Sequence, residues 1–200
     1  MEEIIYSLSV IYFTLIISSA VLAKLLCPIL LKHGSISLKT EFLSKTNRFN
    51  NHFYVQKNFF PIFYAIGIFI KIFFNNNSYF LIHLIRRFVE SFFLFRYSID
   101  SKMNIFHFLL GISYYVVISS YIFSKKNIFI PNSFIIFNIL QFFAHYQIFR
   151  KKRFRSFYIH YLCELGIYYS LYWGNKKDLI LFLNFIWVLT FFFDRNFIIK

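Results

Sequence analysis

The sequence contains few of the residues on which soluble enzymes and disulfide-stabilised domains depend. Among its 200 residues there are two cysteines, three prolines and five glycines. Cys27 and Cys163 each lie within an apolar run, which argues against a disulfide framework and against a zinc site built from cysteines. Five glycines are too few for a Rossmann unit, and the chain contains no G-x-G-x-x-G pattern, phosphate-binding glycine loop or Ser–His–acid order.

Acidic residues are also scarce, with eight Asp and Glu against 22 Lys and Arg, so the formal net charge is +14. In a soluble protein this charge would suggest nucleic-acid binding. Here the basic residues lie between long apolar runs, where they act as topology signals. Because 58% of the residues are hydrophobic, the composition indicates an integral membrane protein with short loops, whose partners are membrane lipids and not nucleic acid.

Seven apolar runs can be recognised along the chain. They extend over Ile4–Leu31, Phe59–Phe74, Tyr79–Tyr97, Met103–Ser124, Ile128–Phe149, Tyr158–Trp173 and Leu179–Phe193. Backbone groups cannot stay unpaired in lipid, and no alternating pattern suggests a barrel, so each run is predicted to be a helix. We therefore expect an all-α integral membrane protein with about seven transmembrane helices, forming one membrane-embedded domain over residues 1–200.

The distribution of Lys and Arg among the loops predicts the orientation. Loops 32–58 and 150–157 contain ten of these residues, whereas the loops on the opposite side contain four, at 125, 126, 176 and 177. The side with ten is expected to be cytosolic, which places the N-terminus in the lumen and the C-terminus in the cytosol. The chain starts Met1-Glu2-Glu3, acidic where a signal peptide would be basic, so the first run is expected to be a retained span.

Polar side chains recur at helical spacing in three of the runs. They are His83, Arg86, Arg87 and Glu90 in the third run, Gln141 and His145 in the fifth, and His160 and Glu164 in the sixth. An Arg or Glu at the centre of a membrane helix costs about 2.5–3.5 kcal/mol, so the charges of the third run must pair, face a cavity or lie near a membrane surface. The i, i+3 and i, i+4 spacings allow Glu90 to pair with either arginine. Each stripe alone is typical of a helix–helix hydrogen bond, but three together predict a shared polar cavity.

Two further polar features have alternative interpretations. His160 and Glu164, one turn apart, could share a metal ion, but no second pair and no H-E-x-x-H pattern supplies the remaining ligands, so no metal is expected. The basic cluster Arg150–Arg155 is either a positive-inside signal in contact with lipid headgroups or a site for the phosphates of an anionic cofactor. Both readings of the cluster stay open.

Six segments follow, in order, the pattern of one membrane enzyme family. They are Lys32–Gly34 (similar to Y-G-K), His52–Val55 (H-F-Y-hydrophobic), Arg86–Phe92 (R-R-x-x-E-x-x), Gly111–Tyr115 (G-x-x-Y-Y), Gln141–His145 (Q-x-x-x-H) and His160–Tyr168 (P-[HN]-Y-L-x-E-x-x-I-Y). Together they resemble the polyprenal (polyprenol) reductase branch of the steroid 5-alpha-reductase family. The resemblance covers roughly residues 30–175, and its specific part is the two segments centred on Glu90 and Glu164.

This resemblance implies an enzyme of the endoplasmic reticulum membrane that uses NADPH to reduce the α,β-unsaturated double bond of polyprenal, in dolichol biosynthesis for protein glycosylation. Hydride addition to the β carbon places negative charge on the carbonyl oxygen, so a hydrogen-bond donor must lie there in a dry site. Glu90, as a protonated carboxyl, is the first candidate, and Tyr54 is the second. If Arg86 or Arg87 pairs with Glu90, the carboxyl is structural and Tyr54 becomes the stronger candidate.

The remaining site residues also follow from the resemblance. Cofactor binding is expected from His160, Glu164, Gln141, His145, Lys152 and Arg153, and substrate binding from His52 and Arg87. The substrate is a polyisoprenoid lipid, which needs a lipid-accessible slot with apolar walls.

Two departures from the family pattern favour an alternative. The family's longer loop before His160 is reduced here to Arg153–Ile159, and the stretch Asp194–Lys200 lacks the H-x-x-Y…Y-P-x-x-R…P-F tail. Both parts belong to the cofactor end of the site. The alternative is therefore a divergent, cofactor-defective member that acts as a non-catalytic lipid-binding or assembly protein, while a small transporter is a third and weaker interpretation.

Overall fold

The structure is a computed structural model that describes residues 1–26, 54–74, 79–95, 97, 101–125, 128–151, 156–175 and 178–196. Within these residues the fold consists mainly of seven α-helices. The helices are α1 (Glu2–Leu26), α2 (Pro61–Phe74), α3 (Phe80–Val89), α4 (Ile105–Ser124), α5 (Asn132–Phe149), α6 (Ser156–Gly174) and α7 (Leu179–Asn196). Each one falls on one of the seven apolar runs, so the prediction of a helical protein is confirmed for the described part of the chain.

Among the described residues, three helical segments are long and apolar enough to cross a membrane: Glu2–Leu22, Lys57–Phe74 and Ile105–Ser124. The second combines α2 with a 3₁₀ turn, Lys57–Phe59, that precedes it. A span of about 18–20 apolar residues matches the thickness of the hydrocarbon layer. These segments indicate a membrane protein.

A short antiparallel strand pair interrupts the helical pattern. β1 (Tyr54–Gln56) pairs with β2 (Lys102–Asn104), and Tyr54 lies opposite Asn104. Asn104 then caps α4, because its side-chain oxygen accepts a hydrogen bond from the backbone N–H of Phe106 at 2.9 Å. The apolar runs do not predict this pair, since strands of three residues are too short to produce a periodic pattern.

Large apolar side chains lie on both the inside and the outside of the helices. Phe13, Phe80, Ile118 and Ile167 are fully buried in the core, whereas many other Phe, Ile and Leu side chains are exposed. Contiguous exposed apolar surface of this kind is rare on soluble monomers and is typical of a surface that meets lipid.

The close packing of α5 against α6 depends on a glycine. A Cβ atom placed on Gly166 of α6 would lie 2.6 Å from the ring of Phe137 on α5. Real Cβ atoms do not approach other carbons so closely, so the ring can occupy this position only because residue 166 has no side chain. Gly166 therefore sets the distance between the two helices that carry His145 and His160.

Gly166→Ala is expected to destabilise the protein by about 1–3 kcal/mol, because the Phe137 ring must move or the helices must separate. The measurement is the thermal midpoint of the purified protein in detergent. Gly174→Ala is the matched control, since its Cβ would meet Phe129 only at 3.1 Å and so needs a smaller adjustment. A Gly166→Ala midpoint equal to or above that of the parent protein would contradict the packing argument.

Asp178 joins the end of α4 to the start of α7. Its Oδ1 atom accepts hydrogen bonds from the backbone N–H groups of Ile180 and Leu181 at 3.0 and 3.2 Å, which makes it the N-terminal cap of α7. Its Oδ2 atom accepts from the Tyr121 hydroxyl at 2.5 Å and from the Lys125 ammonium. Burial raises the pKa of Asp178, but the hydrogen bonds from Lys125, Tyr121 and Leu181 outweigh burial and hold this pKa below its ordinary value.

The cap predicts a defined pH dependence of stability. Because the pKa of Asp178 is lower in the folded protein, its contribution is fully present above the ordinary value of 3.8 and is lost as the pH falls through the folded value. At neutral pH, Asp178→Asn should lower the free energy of unfolding by about 1–3 kcal/mol and thereby lower the thermal midpoint. In a plot of the midpoint against pH, the fall at acid pH should be smaller in this variant. Glu2→Gln, at an exposed carboxyl, is the control; an unchanged fall at acid pH in Asp178→Asn would disprove the assignment.

Candidate functional site

A buried polar network lies where α3 packs against α5. Its members come from α3 and the turn that follows it, from α5, and from α2: His83, Arg86, Arg87, Glu90, Asn138, Gln141, His145 and Tyr64. The i, i+3 and i, i+4 spacings place the residues of each helix on one face. Glu90 and His145 are each 2% exposed, and Gln141 is fully buried, so the polar stripes of the third and fifth runs meet inside the protein.

Glu90 is the centre of this network. Its Oε1 atom accepts a hydrogen bond from Arg86 Nη1, and its Oε2 atom accepts one from Arg87 Nη1 at 2.9 Å. Oε2 also lies 2.9 Å from Nδ1 of His145. An ionised carboxyl can only accept, and three donors surround it, so Glu90 is held as a carboxylate between two guanidinium groups. Both arginines thus pair with Glu90, the arrangement in which the sequence predicts a structural role for the carboxyl.

Arg86 joins α3 to two amides of α5. Its Nε atom donates to Asn138 Oδ1 at 3.1 Å, and its Nη2 atom donates to Gln141 Oε1 at 2.6 Å. The amide nitrogen of Asn138 donates to the Phe134 carbonyl one turn earlier, at 2.8 Å, so its oxygen faces α3. His83 Nδ1 lies 2.6 Å from that oxygen and must therefore carry the proton.

Arg87 is enclosed by aromatic rings. Its Nη2 atom donates to the Tyr64 hydroxyl at 2.8 Å. Its guanidinium carbon lies 5.1 Å from the centre of the Tyr64 ring and 5.6 Å from that of Phe95. Such cation–π contacts stabilise a guanidinium that has lost its water. Arg87 therefore connects α2 to α3 within an apolar environment.

His145 brings α6 to the network. Because Glu90 can only accept, Nδ1 of His145 carries the proton, and the neighbouring Arg87 Nη1, 3.0 Å away, is in contact with Nδ1 but does not donate to it. The other ring nitrogen of His145, Nε2, is then an acceptor. The rings of His145 and His160 have their centres 4.9 Å apart, and Glu164, one turn further along α6, is close enough for its charge to act on Arg87.

A π-helical turn, Glu90–Leu94, follows α3 at the centre of the network. It is closed by a hydrogen bond from the Phe95 N–H to the Glu90 carbonyl at 3.0 Å. After this turn the chain becomes extended, and the Phe95 ring packs edge-on against His145 at 5.1 Å. Single π turns are rare and frequently occur at functional sites.

A cleft of about 300 Å³ lies beside the network, between the π turn and α5. Its lining residues are Arg86, Val89, Glu90, Phe93, Leu94, Phe142 and Arg150. Glu90 and Arg86 form its polar end, while Val89, Phe93 and Phe142 are exposed on the outer surface. The cleft therefore connects the buried charges with the apolar exterior.

The structure brings some of the predicted site residues together and places others elsewhere. Glu90, Arg87, Gln141 and His145 belong to one network, and His160 touches it through His145. Tyr54 lies half-buried in β1. The predicted positions His52, Lys152 and Arg153 lie outside the described residues.

Sequence reasoning assigned no role to two members of the network. Asn138 precedes Gln141 by three residues and His145 by seven, so it continues the same polar stripe and could have been recognised by this spacing. Tyr64 had no such signal, because the chain contains 15 tyrosines and nothing in the sequence distinguishes this one.

The described residues also bear on metal and cofactor binding. Among them, no group of three or more His, Cys, Asp or Glu side chains is arranged to hold a metal ion. The amide nitrogen of Gln141 is buried and has no hydrogen-bond partner within the described part of the chain. A buried donor of this kind is costly to leave unpaired, so it fits a ligand that presents an oxygen there.

Comparison of the chain with protein-family models, with curated proteins and with solved structures finds no match.

Removal of the Glu90 carboxylate tests whether the side chains of the network depend on one another for stability. Glu90→Gln is expected to destabilise the protein by about 3–5 kcal/mol, because the buried guanidinium of Arg87 and the largely buried one of Arg86 lose their counter-charge. In the double variant Glu90→Gln/Arg87→Gln, the decrease in the free energy of unfolding should be smaller, by about 0.5–3 kcal/mol, than the sum of the decreases in the two single variants. Reversible unfolding in mixed micelles measures each value.

The control for this cycle pairs Glu90→Gln with Lys151→Gln. Lys151 is exposed, so these two effects should add. Strict additivity of Glu90→Gln and Arg87→Gln would be incompatible with a shared ion pair.

Proposed function

We propose that this chain is a membrane-embedded, NADPH-dependent reductase that acts on the α,β-unsaturated double bond of polyprenal. The single observation that carries the proposal is a convergence. Glu90, Gln141 with His145, and His160 come from three separate segments that resemble the polyprenal reductase pattern, and they meet at one buried site. The proposal includes seven transmembrane helices in one domain, a luminal N-terminus, a cytosolic C-terminus and location in the endoplasmic reticulum membrane.

The residues at the nicotinamide end fit the cofactor. The amide nitrogen of Gln141, which has no hydrogen-bond partner among the described residues, would suit the oxygen of a carboxamide, and His160 lies beside His145 on the adjacent helix. When bound, NADPH supplies a hydride. Lys152 and Arg153, which lie outside the described residues, would bind the phosphates of the cofactor. His52 and Arg87 would contact the substrate.

Because Glu90 is already paired, Glu90 and Tyr54, the two candidate donors, are assigned different roles. With three donors already directed at its oxygens, Glu90 holds Arg87 and His145 in position. The hydrogen-bond donor to the carbonyl oxygen of the substrate is then Tyr54, whose phenol can donate without changing the charge of the site. Glu164, whose charge acts on Arg87, remains the proposed partner of the cofactor on α6.

A second candidate function is favoured by the same pairing. The network satisfies its own charges through Arg86, Arg87 and Glu90, as expected of a protein that keeps the ion pairs for packing alone. Such a protein would be a cofactor-defective lipid-binding or assembly subunit. Titration of NADPH into the purified protein separates the two functions, because saturable binding supports the reductase and its absence supports the subunit.

The enzymatic test uses membranes that contain the protein, a short polyprenal and NADPH. Tyr54→Phe should lower the reduction rate, measured per amount of folded protein, by about 10²–10⁴-fold, the usual contribution of a positioned acid. Glu90→Gln should abolish the activity, measured per amount of folded protein. Tyr79→Phe and Glu3→Gln, at exposed positions, are the matched controls. Full activity in both Tyr54→Phe and Glu90→Gln would refute the assignment of the site.

A further inference from the structure

The cleft beside the network has features that the reductase proposal does not use. Two arginines, Arg86 and Arg150, line it together with the apolar side chains of Val89, Phe93 and Phe142. We propose that this cleft binds an anionic membrane phospholipid, with the phosphate held by the two arginines and one acyl chain lying along the apolar wall.

Arg86 retains hydrogen-bonding capacity toward the cleft. A guanidinium has five N–H groups, and three of those of Arg86 are used by Asn138, Gln141 and Glu90. Its side chain is still 16% exposed. Its Nη2 atom also lies 3.4 Å from Nδ1 of His83, so the second N–H of Nη1 remains for a ligand that enters from the cleft.

Arg150 supplies the second cation at the rim. It follows the last residue of α5, and its Nη2 atom donates to the carbonyl of Phe93, another lining residue, at 3.3 Å. Glu90, the acidic residue in the lining, is neutralised by its pairing with Arg86 and Arg87. The unbalanced charge at the cleft is thus positive, and two guanidinium groups are well suited to a phosphate.

The surroundings of the cleft determine that the occupant is a lipid. Exposed apolar side chains lie on α3, on the π turn and on α5: Ile82, Ile85, Phe92, Ile135, Ile139 and Phe143. A ligand in the cleft therefore meets lipid and not water on its outer side. The volume of about 300 Å³ is at the lower end of ligand pockets and is suited to a headgroup with the first part of one chain.

Three variants separate this site from general attraction of acidic lipids to a basic protein. Arg150→Gln removes the cation at the rim, and Val89→Trp fills the apolar part without changing any charge. Lys151→Gln is the matched control, because Lys151 is exposed and its ammonium lies over the Tyr146 ring at 5.8 Å, outside the cleft lining. All three positions are at the surface, so folding should be preserved.

The measurement is the thermal midpoint of the purified protein in detergent during titration with dioctanoyl phosphatidic acid, dioctanoyl phosphatidylcholine or inorganic phosphate. Phosphatidic acid should raise the midpoint saturably, whereas the other two should not. Arg150→Gln should weaken the apparent affinity roughly tenfold, the loss expected for one charge-assisted hydrogen bond. Val89→Trp should weaken it as well, and Lys151→Gln should leave it unchanged.

Three outcomes would overturn the proposal. Equal weakening by Arg150→Gln and Lys151→Gln would mean diffuse electrostatic attraction. Equal responses to phosphatidic acid and phosphatidylcholine would remove the role of the charge, and a response to inorganic phosphate alone would remove the role of the membrane lipid. No NADPH or polyprenal is present, so these results do not depend on whether the protein is a reductase.

Discussion

The carboxylate of Glu90 is the group on which the arrangement of the helices around the site depends. It lies between two guanidinium groups and an imidazole that come from α3 and α5, and Arg87 extends the connection to Tyr64 on α2. Without a counter-charge, the buried Arg87 and the largely buried Arg86 would repel each other in a medium that screens charge poorly. The carboxylate turns this repulsion into an attraction that fixes the mutual position of three helices.

The polar groups inside and the apolar groups outside have complementary effects. Apolar side chains that face lipid provide little drive for helices to associate, because the lipid is as apolar as they are. Small-residue contacts such as Gly166 against Phe137, and hydrogen bonds such as Arg86 to Gln141, must therefore hold the helices together. The amide nitrogen of Gln141 has no hydrogen-bond partner among the described residues, so the side chain that joins α3 to α5 also keeps an unused donor.

The helices were predictable from the sequence, whereas the details of the site were predictable only in part. Each helix coincides with an apolar run, and the spacing of Arg86, Arg87 and Glu90 allowed the pairs that form. The spacing did not determine whether the arginines would pair with Glu90 or turn to the surface, because that choice depends on Asn138 and Gln141 of another helix. The strand pair and the role of Tyr64 likewise arise from tertiary contacts, while the resemblance to polyprenal reductases stays a prediction.

The π turn after α3 has a consequence for the length of this segment. Its wider ring holds one residue more than an α-helical turn and still ends with Phe95 against His145. Deletion of any one residue between Glu90 and Leu94 would allow the backbone hydrogen bonds to return to the regular α-helical pattern. The residues that follow the deletion would then be rotated by about 100° about the axis of α3. The number of residues in this turn, and not their identity, therefore determines whether the Phe95 ring reaches His145.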